Sequence, residues 1–158
     1  MALVYLGLGS NLNVPRRQLT RVLKHIQNFP RTQVHARSNI YLTKPFGIKA
    51  QPNYLNMVVA IKTRLSPHML SSICKKTEQK HARIKKKRWG ARNIDIDILL
   101  YEGITTQHKQ LTIPHPQLTL RDFVLIPLLE LSPQQCLPNG QPILMTPQTT
   151  NTIIGLRL

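Results

Sequence analysis

The sequence predicts an α+β fold: a ferredoxin-like βαββαβ antiparallel sheet with its helices on one face, plus a C-terminal extension. Three observations lead there. Four segments are short and apolar or rich in β-branched residues, as strands are. Two others carry an apolar stripe at helical spacing, each opened by a proline. The two kinds alternate as β-α-β-β-α-β, and residues 1–158 hold no linker or repeat, so a single domain is expected.

LVYLGL (3–8) is the first strand, and its closing Gly-x-Gly predicts a tight turn. Pro15 opens a helix with Leu19, Val22, Leu23 and Ile26 inward, and Pro30 stops it. TQVHARSNIYLT (32–43) and YLNMVVAIKT (54–63) read as the second and third strands. Between them TKPFGIKAQPN (43–53) is a long loop, of a length that is usually functional or disordered. Ser66 caps a second helix, with Pro67 first and Leu70, Ile73, Cys74 and Thr77 inward. A basic segment, KHARIKKKRWGAR (80–92), leads into the fourth strand, NIDIDILLY (93–101). TIPHPQLTLRDF (112–123) reads as irregular, FVLIPLLEL (123–131) as a short helix broken near Pro127, and the proline-rich tail as loop.

The 41% hydrophobic content suits a globular core. No apolar run is long enough for a membrane helix. MALVYLGLGSN lacks a basic leader and reads as a strand and not a signal peptide. Two distant cysteines, Cys74 and Cys136, fit a reduced cytoplasmic protein without a zinc site. The net charge is +16, with 22 Lys+Arg against 6 Asp+Glu, which calls for anionic partners such as nucleic acid, nucleotide phosphates or a membrane surface.

Against that background, two of the few acids sit together in RWGARNIDIDILLY (88–101). Side chains alternate along a strand, so Ile94, Ile96 and Ile98 face the core while Asp95 and Asp97 share the other face. Two such carboxylates repel unless a cation lies between them, and an all-oxygen pair favours Mg²⁺ shared with substrate phosphates. Arg88 and Arg92 are close enough in sequence to reach an anion held there, and arginine offers phosphate a bidentate fork. Trp89, the one tryptophan, is either a core anchor or a flat lid on a ring-shaped ligand. GLGSN (7–11) lacks the GK[ST] of a P-loop and the third glycine of a dinucleotide fingerprint. His115 stands between Pro114 and Pro116, and no Ser/His/Asp or Cys/His arrangement is legible.

Together LGSN (8–11), YLTKPFG (41–47), QPNYLN (51–56), RWGARNIDIDILL (88–100), LTIPHP (111–116) and RDFVLIPLLEL (121–131) closely resemble the 6-hydroxymethyl-7,8-dihydropterin pyrophosphokinases of folate biosynthesis. The resemblance spans nearly the whole chain. It implies the same ferredoxin-like fold and transfer of pyrophosphate from ATP to the pterin hydroxymethyl oxygen, releasing AMP. It implies two Mg²⁺ ions on Asp95 and Asp97, with Arg88 and Arg92 as catalytic partners. Thr43, Pro45, Phe46, Tyr54, Asn56, Trp89 and Phe123 match pterin-binding positions. Glu78, Lys85, Arg88, Trp89, Arg92, Ile98, Lys109, Thr112, His115 and Arg121 match ATP-binding positions. A monofunctional, cytoplasmic monomer follows, with small-molecule substrates and neither membrane nor nucleic acid as a partner.

The sequence departs from the family in places. The 79–88 loop is one residue short, Lys85 stands for a frequent arginine, and Lys109 with Gln110 occupies the place of another. Asp122 adds a negative charge beside Arg121, and Ala91 replaces a proline. None of these removes a metal ligand. The rival reading is an RNA-binding module with the same strand order. The 5% aromatic content and the absence of a stacking pattern on the central strands count against it.

Overall fold

The computed structural model describes residues 1–81 and 93–157. They form β1 (Ala2–Ser10), α1 (Pro15–Gln27), β2 (Thr32–Arg37), β3 (Ile40–Thr43), β4 (Tyr54–Thr63), α2 (Pro67–His81), β5 (Asp95–Tyr101), β6 (Thr106–His108), β7 (Leu111–Ile113), α3 (Asp122–Leu131) and β8 (Ile153–Arg157). The main sheet runs β5-β1-β4-β3-β8, with β2 also paired to β4. Every pairing in it is antiparallel. No helix among the described residues is long and apolar enough to cross a membrane.

The strand expected over residues 32–43 divides at Ser38 and Asn39 into β2 and β3. β2 pairs with the second half of β4 and β3 with the first. Ser38 bridges the gap: its N–H donates to the Val58 carbonyl at 2.9 Å, and its Oγ accepts from the Val58 N–H at 2.9 Å. A side chain thus completes the ladder where the backbone leaves it. The tight turn also shifts. Gly7 and Gly9 are strand residues, and the chain reverses at Asn13 and Val14, with φ of 51° and 59°.

Alternation along β1, β4 and β5 sorts the core into two layers. Val4, Leu6, Leu8, Met57, Val59, Ile61, Ile96 and Ile98 meet the apolar stripes of α1 and α2. Tyr5, Val58, Ala60 and Leu99 meet α3 and Leu118 on the opposite face. Ile98 and Leu100 pair with the consecutive residues Leu6 and Tyr5, so Leu99 lies at an irregularity in the register. The two stripe-bearing helices share one face, as expected, and the face across from them was expected to be open. The strongly apolar α3 instead buries itself on the other, with Pro127 inside it and not ending it. The end of that face carrying Gly7, Gly9, Asn56, Asp95 and Asp97 lines a cavity.

The tail is not loop throughout, since β8 adds to the β3 edge; ahead of α3, β6 and β7 form a separate hairpin. Asp122, 2% exposed, anchors this tail. Its carboxylate accepts from Thr150 Oγ1 at 2.7 Å, Thr152 Oγ1 at 2.6 Å, and the N–H groups of Thr152 at 2.6 Å and Ile153 at 2.9 Å. Burial alone pushes its pKa up, but the hydrogen bonds from Thr152, Thr150 and Ile153 hold it below the ordinary value. A depressed carboxylate stabilises the fold above its unfolded pKa, and that stability is lost as pH falls through the folded pKa. Asp122→Ala is expected to cost roughly 3 kcal/mol at neutral pH. Its stability should then fall less steeply than the native chain's below about pH 4, as thermal unfolding across pH will show.

Candidate active site

Asp95 and Asp97 stand half-buried on the β5 face away from α1 and α2, while Ile94, Ile96 and Ile98 point into the core. Their neighbours on β1 are Gly9 opposite Asp95 and Gly7 opposite Asp97. On the far side of β1, Gly9 lies opposite Asn56 of β4. The two glycines therefore leave a floor without side chains between carboxylates and amide. A methyl group on Gly9 would lie 2.7 Å from Asn56 Oδ1. That amide is not loose, because Asn56 Nδ2 donates to Thr43 Oγ1 at 2.7 Å and both residues are buried.

Two cavities of about 330 Å³ each meet at this pair of aspartates. The first is lined by Thr43, Phe46, Tyr54, Asn56, Arg121 and Phe123 over the glycine floor. The second is lined by Glu78, Ile98, Lys109, Gln110 and Thr112, with Cys74 at its wall. Asp95, Asp97 and His115 line both. Among the described residues no group of three or more His, Cys, Asp or Glu side chains gathers to hold a metal. The long loop is fastened above the first cavity by Asn11, whose Nδ2 donates to Gln51 Oε1 at 3.1 Å and to the Pro52 carbonyl at 2.9 Å.

The second cavity is also braced. Glu78 Oε1 accepts from the Ile96 N–H at 2.8 Å, fixing β5 between the two aspartates. Asn93 ties the entry of β5 to its surroundings: its Nδ2 donates to the His81 carbonyl at 2.6 Å, and its Oδ1 accepts from Asn13 Nδ2 at 2.6 Å. Burial pushes the Cys74 thiol up to about 12, with Glu78 and Asp97 adding to the effect, so it stays protonated and unreactive. Burial pushes His115 down to about 4, helped by the Arg121 charge and opposed by Asp95. Its Nδ1 accepts from the Gln117 N–H at 3.2 Å. The neutral ring therefore carries its proton on Nε2, as a hydrogen-bond donor.

Of the residues expected around a pterin, Thr43, Phe46, Tyr54, Asn56 and Phe123 line the first cavity, and Pro45 lies half-buried beside them in the loop. Of those expected around ATP, Glu78, Ile98, Lys109, Thr112 and His115 line the second. Arg121 lies in the first cavity instead, its guanidinium carbon 5.9 Å from the Phe46 ring centre and 5.7 Å from that of Phe123. Lys85, Arg88, Trp89 and Arg92 lie outside the described residues. Asp122 turns toward the tail and not toward the cavities. Sequence reasoning missed Gly7 and Gly9 as floor residues, along with Met57 and Val124 in the wall.

Residues 5–133 match the family model described as 7,8-dihydro-6-hydroxymethylpterin-pyrophosphokinase. The chain is 42% identical over 141 residues to the 2-amino-4-hydroxy-6-hydroxymethyldihydropteridine pyrophosphokinase of Haemophilus influenzae, covering 89% of this chain and 88% of that protein. It is 41% identical over 133 residues to the enzyme of that name from Aquifex aeolicus, covering 84% and 82%. It is also 42% identical over 131 residues to the folic acid synthesis protein fol1 of Schizosaccharomyces pombe, covering 83% of this chain and 18% of that protein.

Proposed function

The chain belongs to the 7,8-dihydro-6-hydroxymethylpterin-pyrophosphokinase family, and from that premise we propose how its two joined cavities divide the reaction. The protein transfers pyrophosphate from ATP to 6-hydroxymethyl-7,8-dihydropterin, in folate biosynthesis. The observation that carries the proposal is that Asp95 and Asp97 line both cavities, where two substrates would meet.

The first cavity takes the pterin. Its flat ring lies against Phe46, Tyr54 and Phe123, and its amide edge bonds to Asn56, which Thr43 orients. The second takes ATP against Glu78, Ile98, Lys109 and Thr112. Lys109 supplies the point charge near the nucleotide that its neighbour Gln110 does not. The resemblance implies ATP-binding roles for Lys85, Arg88, Trp89 and Arg92 as well.

Two carboxylates with no third acidic, imidazole or thiol ligand grouped with them among the described residues suit Mg²⁺, which keeps waters and shares its remaining positions with phosphate oxygens. Asp95 and Asp97 would hold two such ions. Bound there, they supply the positive charge that steadies the phosphoryl oxygens during transfer. The chain's own residues do the rest. They align the hydroxymethyl oxygen with the β-phosphorus, so that its new O–P bond forms as the bond to the α-phosphate breaks and AMP leaves. His115 remains a neutral donor through the physiological range and offers Nε2–H to a phosphate oxygen.

The strand order supports the ferredoxin-like reading. With β2 and β3 taken as one broken edge, the four core strands lie fourth, first, third, second. A cytoplasmic monomer completes the proposal, and the unpaired Cys74 and Cys136 support a reducing compartment. The test is AMP formation from ATP. It should require the pterin and Mg²⁺ together and stop on chelation. AMP formed at an equal rate without pterin would overturn the proposal.

A further inference from the structure

α1 and α2 bury their apolar stripes in a common core and turn the rest of their surface outward. That outward surface is basic. Arg16, Arg17, Arg21 and Lys24 of α1 and Lys76 and Lys80 of α2 are all exposed. The helices touch, with ring nitrogens of His25 and His81 3.1 Å apart, so these cations share one continuous face. No acid lies on it among the described residues, which hold all 6 acids of the chain. Glu78, Asp95 and Asp97 line the cavities, and Asp122 anchors the tail. Glu102 accepts from the Leu3 N–H at 2.8 Å, and Glu130 accepts from Asn39 and Tyr41. Like charges left without acids repel one another, and an anionic partner relieves that. None of the six cations lines either cavity, so the substrates are not that partner.

We propose that the outward face of α1 and α2 docks double-stranded nucleic acid by its phosphate backbone, without reading sequence. Arg17, Arg21 and Lys24 follow at i, i+4 and i+7, one row along the helix. The row covers about 10 Å of axis, over which one strand of a duplex presents about three phosphates. Lys76 and Lys80, again four apart, make a second row. A lone phosphate would engage one or two of these groups, whereas an extended polyanion engages both rows. Neither helix carries a Phe, Tyr or Trp on which an unpaired base could stack, which favours a duplex over a single strand. The missing stacking pattern that counts against an RNA-reading sheet does not count against this face, because backbone contacts need none. A membrane surface fits less well. α1 exposes no large apolar side chain and α2 exposes Met69 alone, so the face lacks the apolar side with which a helix enters a bilayer.

The test titrates labelled double-stranded DNA of mixed sequence against the full chain at several salt concentrations. The logarithm of the affinity should fall with that of the salt at a slope of about −4, and alike for two unrelated sequences. Arg17→Gln combined with Arg21→Gln should weaken binding by about tenfold or more at low salt and flatten the slope by about 2. Both side chains are exposed and line neither cavity, so this variant should melt with the native chain and form AMP at its rate. Lys49→Gln combined with Lys62→Gln removes the same charge elsewhere: Lys49 lies in the long loop, and Lys62 alternates onto the α3 side with Val58 and Ala60. That variant should change the affinity by under about threefold. Equal losses in the two variants would show that net charge alone holds the duplex, and would overturn the proposal. Tighter binding to vesicles containing phosphatidylserine than to the duplex would overturn it in favour of a membrane.

Discussion

Asp97→Ala is expected to lower the rate of AMP formation by on the order of 10³ while leaving the protein folded. The carboxylate sits at the junction of the two cavities, where charge develops during transfer. On the proposed reading, removing it takes away a fixed negative group that would hold positive charge against the phosphates, and no third acidic or imidazole ligand among the described residues stands ready to replace it. The fold should tolerate the change. β5 is held by backbone bonds to β1 and by Ile96 and Ile98 in the core, none of which involves the Asp97 side chain. Deleting one of two neighbouring like charges also relieves the repulsion between them, and the variant should remain folded. Steady-state AMP release, with circular dichroism as the check on folding, measures both effects. A rate within tenfold of native would remove Asp97 from the mechanism.

Gly9→Ala should raise the KM for the pterin by roughly 10- to 100-fold, with ATP binding near native, because a buried polar contact of this kind is worth about 1–3 kcal/mol. The added methyl would lie 2.7 Å from Asn56 Oδ1, closer than real contacts allow. Asn56 must then move, and moving it breaks its bond to Thr43. The glycine's backbone dihedrals are not the issue, since it lies in a regular strand. What the position requires is the absence of a side chain. Gly7→Ala is the milder control: its methyl would meet Leu99 Cδ2 at 3.3 Å, and a core leucine gives way by a few tenths of an ångström more easily than a hydrogen-bonded amide. Equal KM shifts in the two alanine variants would mean that the close approach of Gly9 to Asn56 does not govern pterin binding.

The two amphipathic helices, the central strands and the facing of Asp95 and Asp97 were all legible, because periodicities of 3.6 and 2 are local properties of a sequence. What escaped depends on distant partners. β8 carries exposed Ile154 and Leu156 behind a proline-rich stretch and becomes a strand only because β3 offers an edge. The break between β2 and β3 needed Ser38 to be seen bonding to Val58. Gly7 and Gly9 read as a turn because Gly-x-Gly usually marks one, although Leu6 and Leu8 alternate with them in strand rhythm and held the clue. Asp122 looked like an added charge beside the site, and only the Thr150–Ile153 bonds reveal it as the anchor of the tail. Arg121 matched a phosphate-binding position by sequence. Its place over two phenylalanine rings is a tertiary fact.

On the proposed mechanism, Asp95 and Asp97 join the two cavities by holding cations there. Mn²⁺ standing in for Mg²⁺ tests it most directly. Bound Mn²⁺ is counted by electron paramagnetic resonance on the protein saturated with pterin and the methylene analogue of ATP, for the native chain and for Asp97→Ala. Two tightly bound ions in the native complex, and fewer in the variant at equal analogue occupancy, is the predicted result. The same count in both would contradict it.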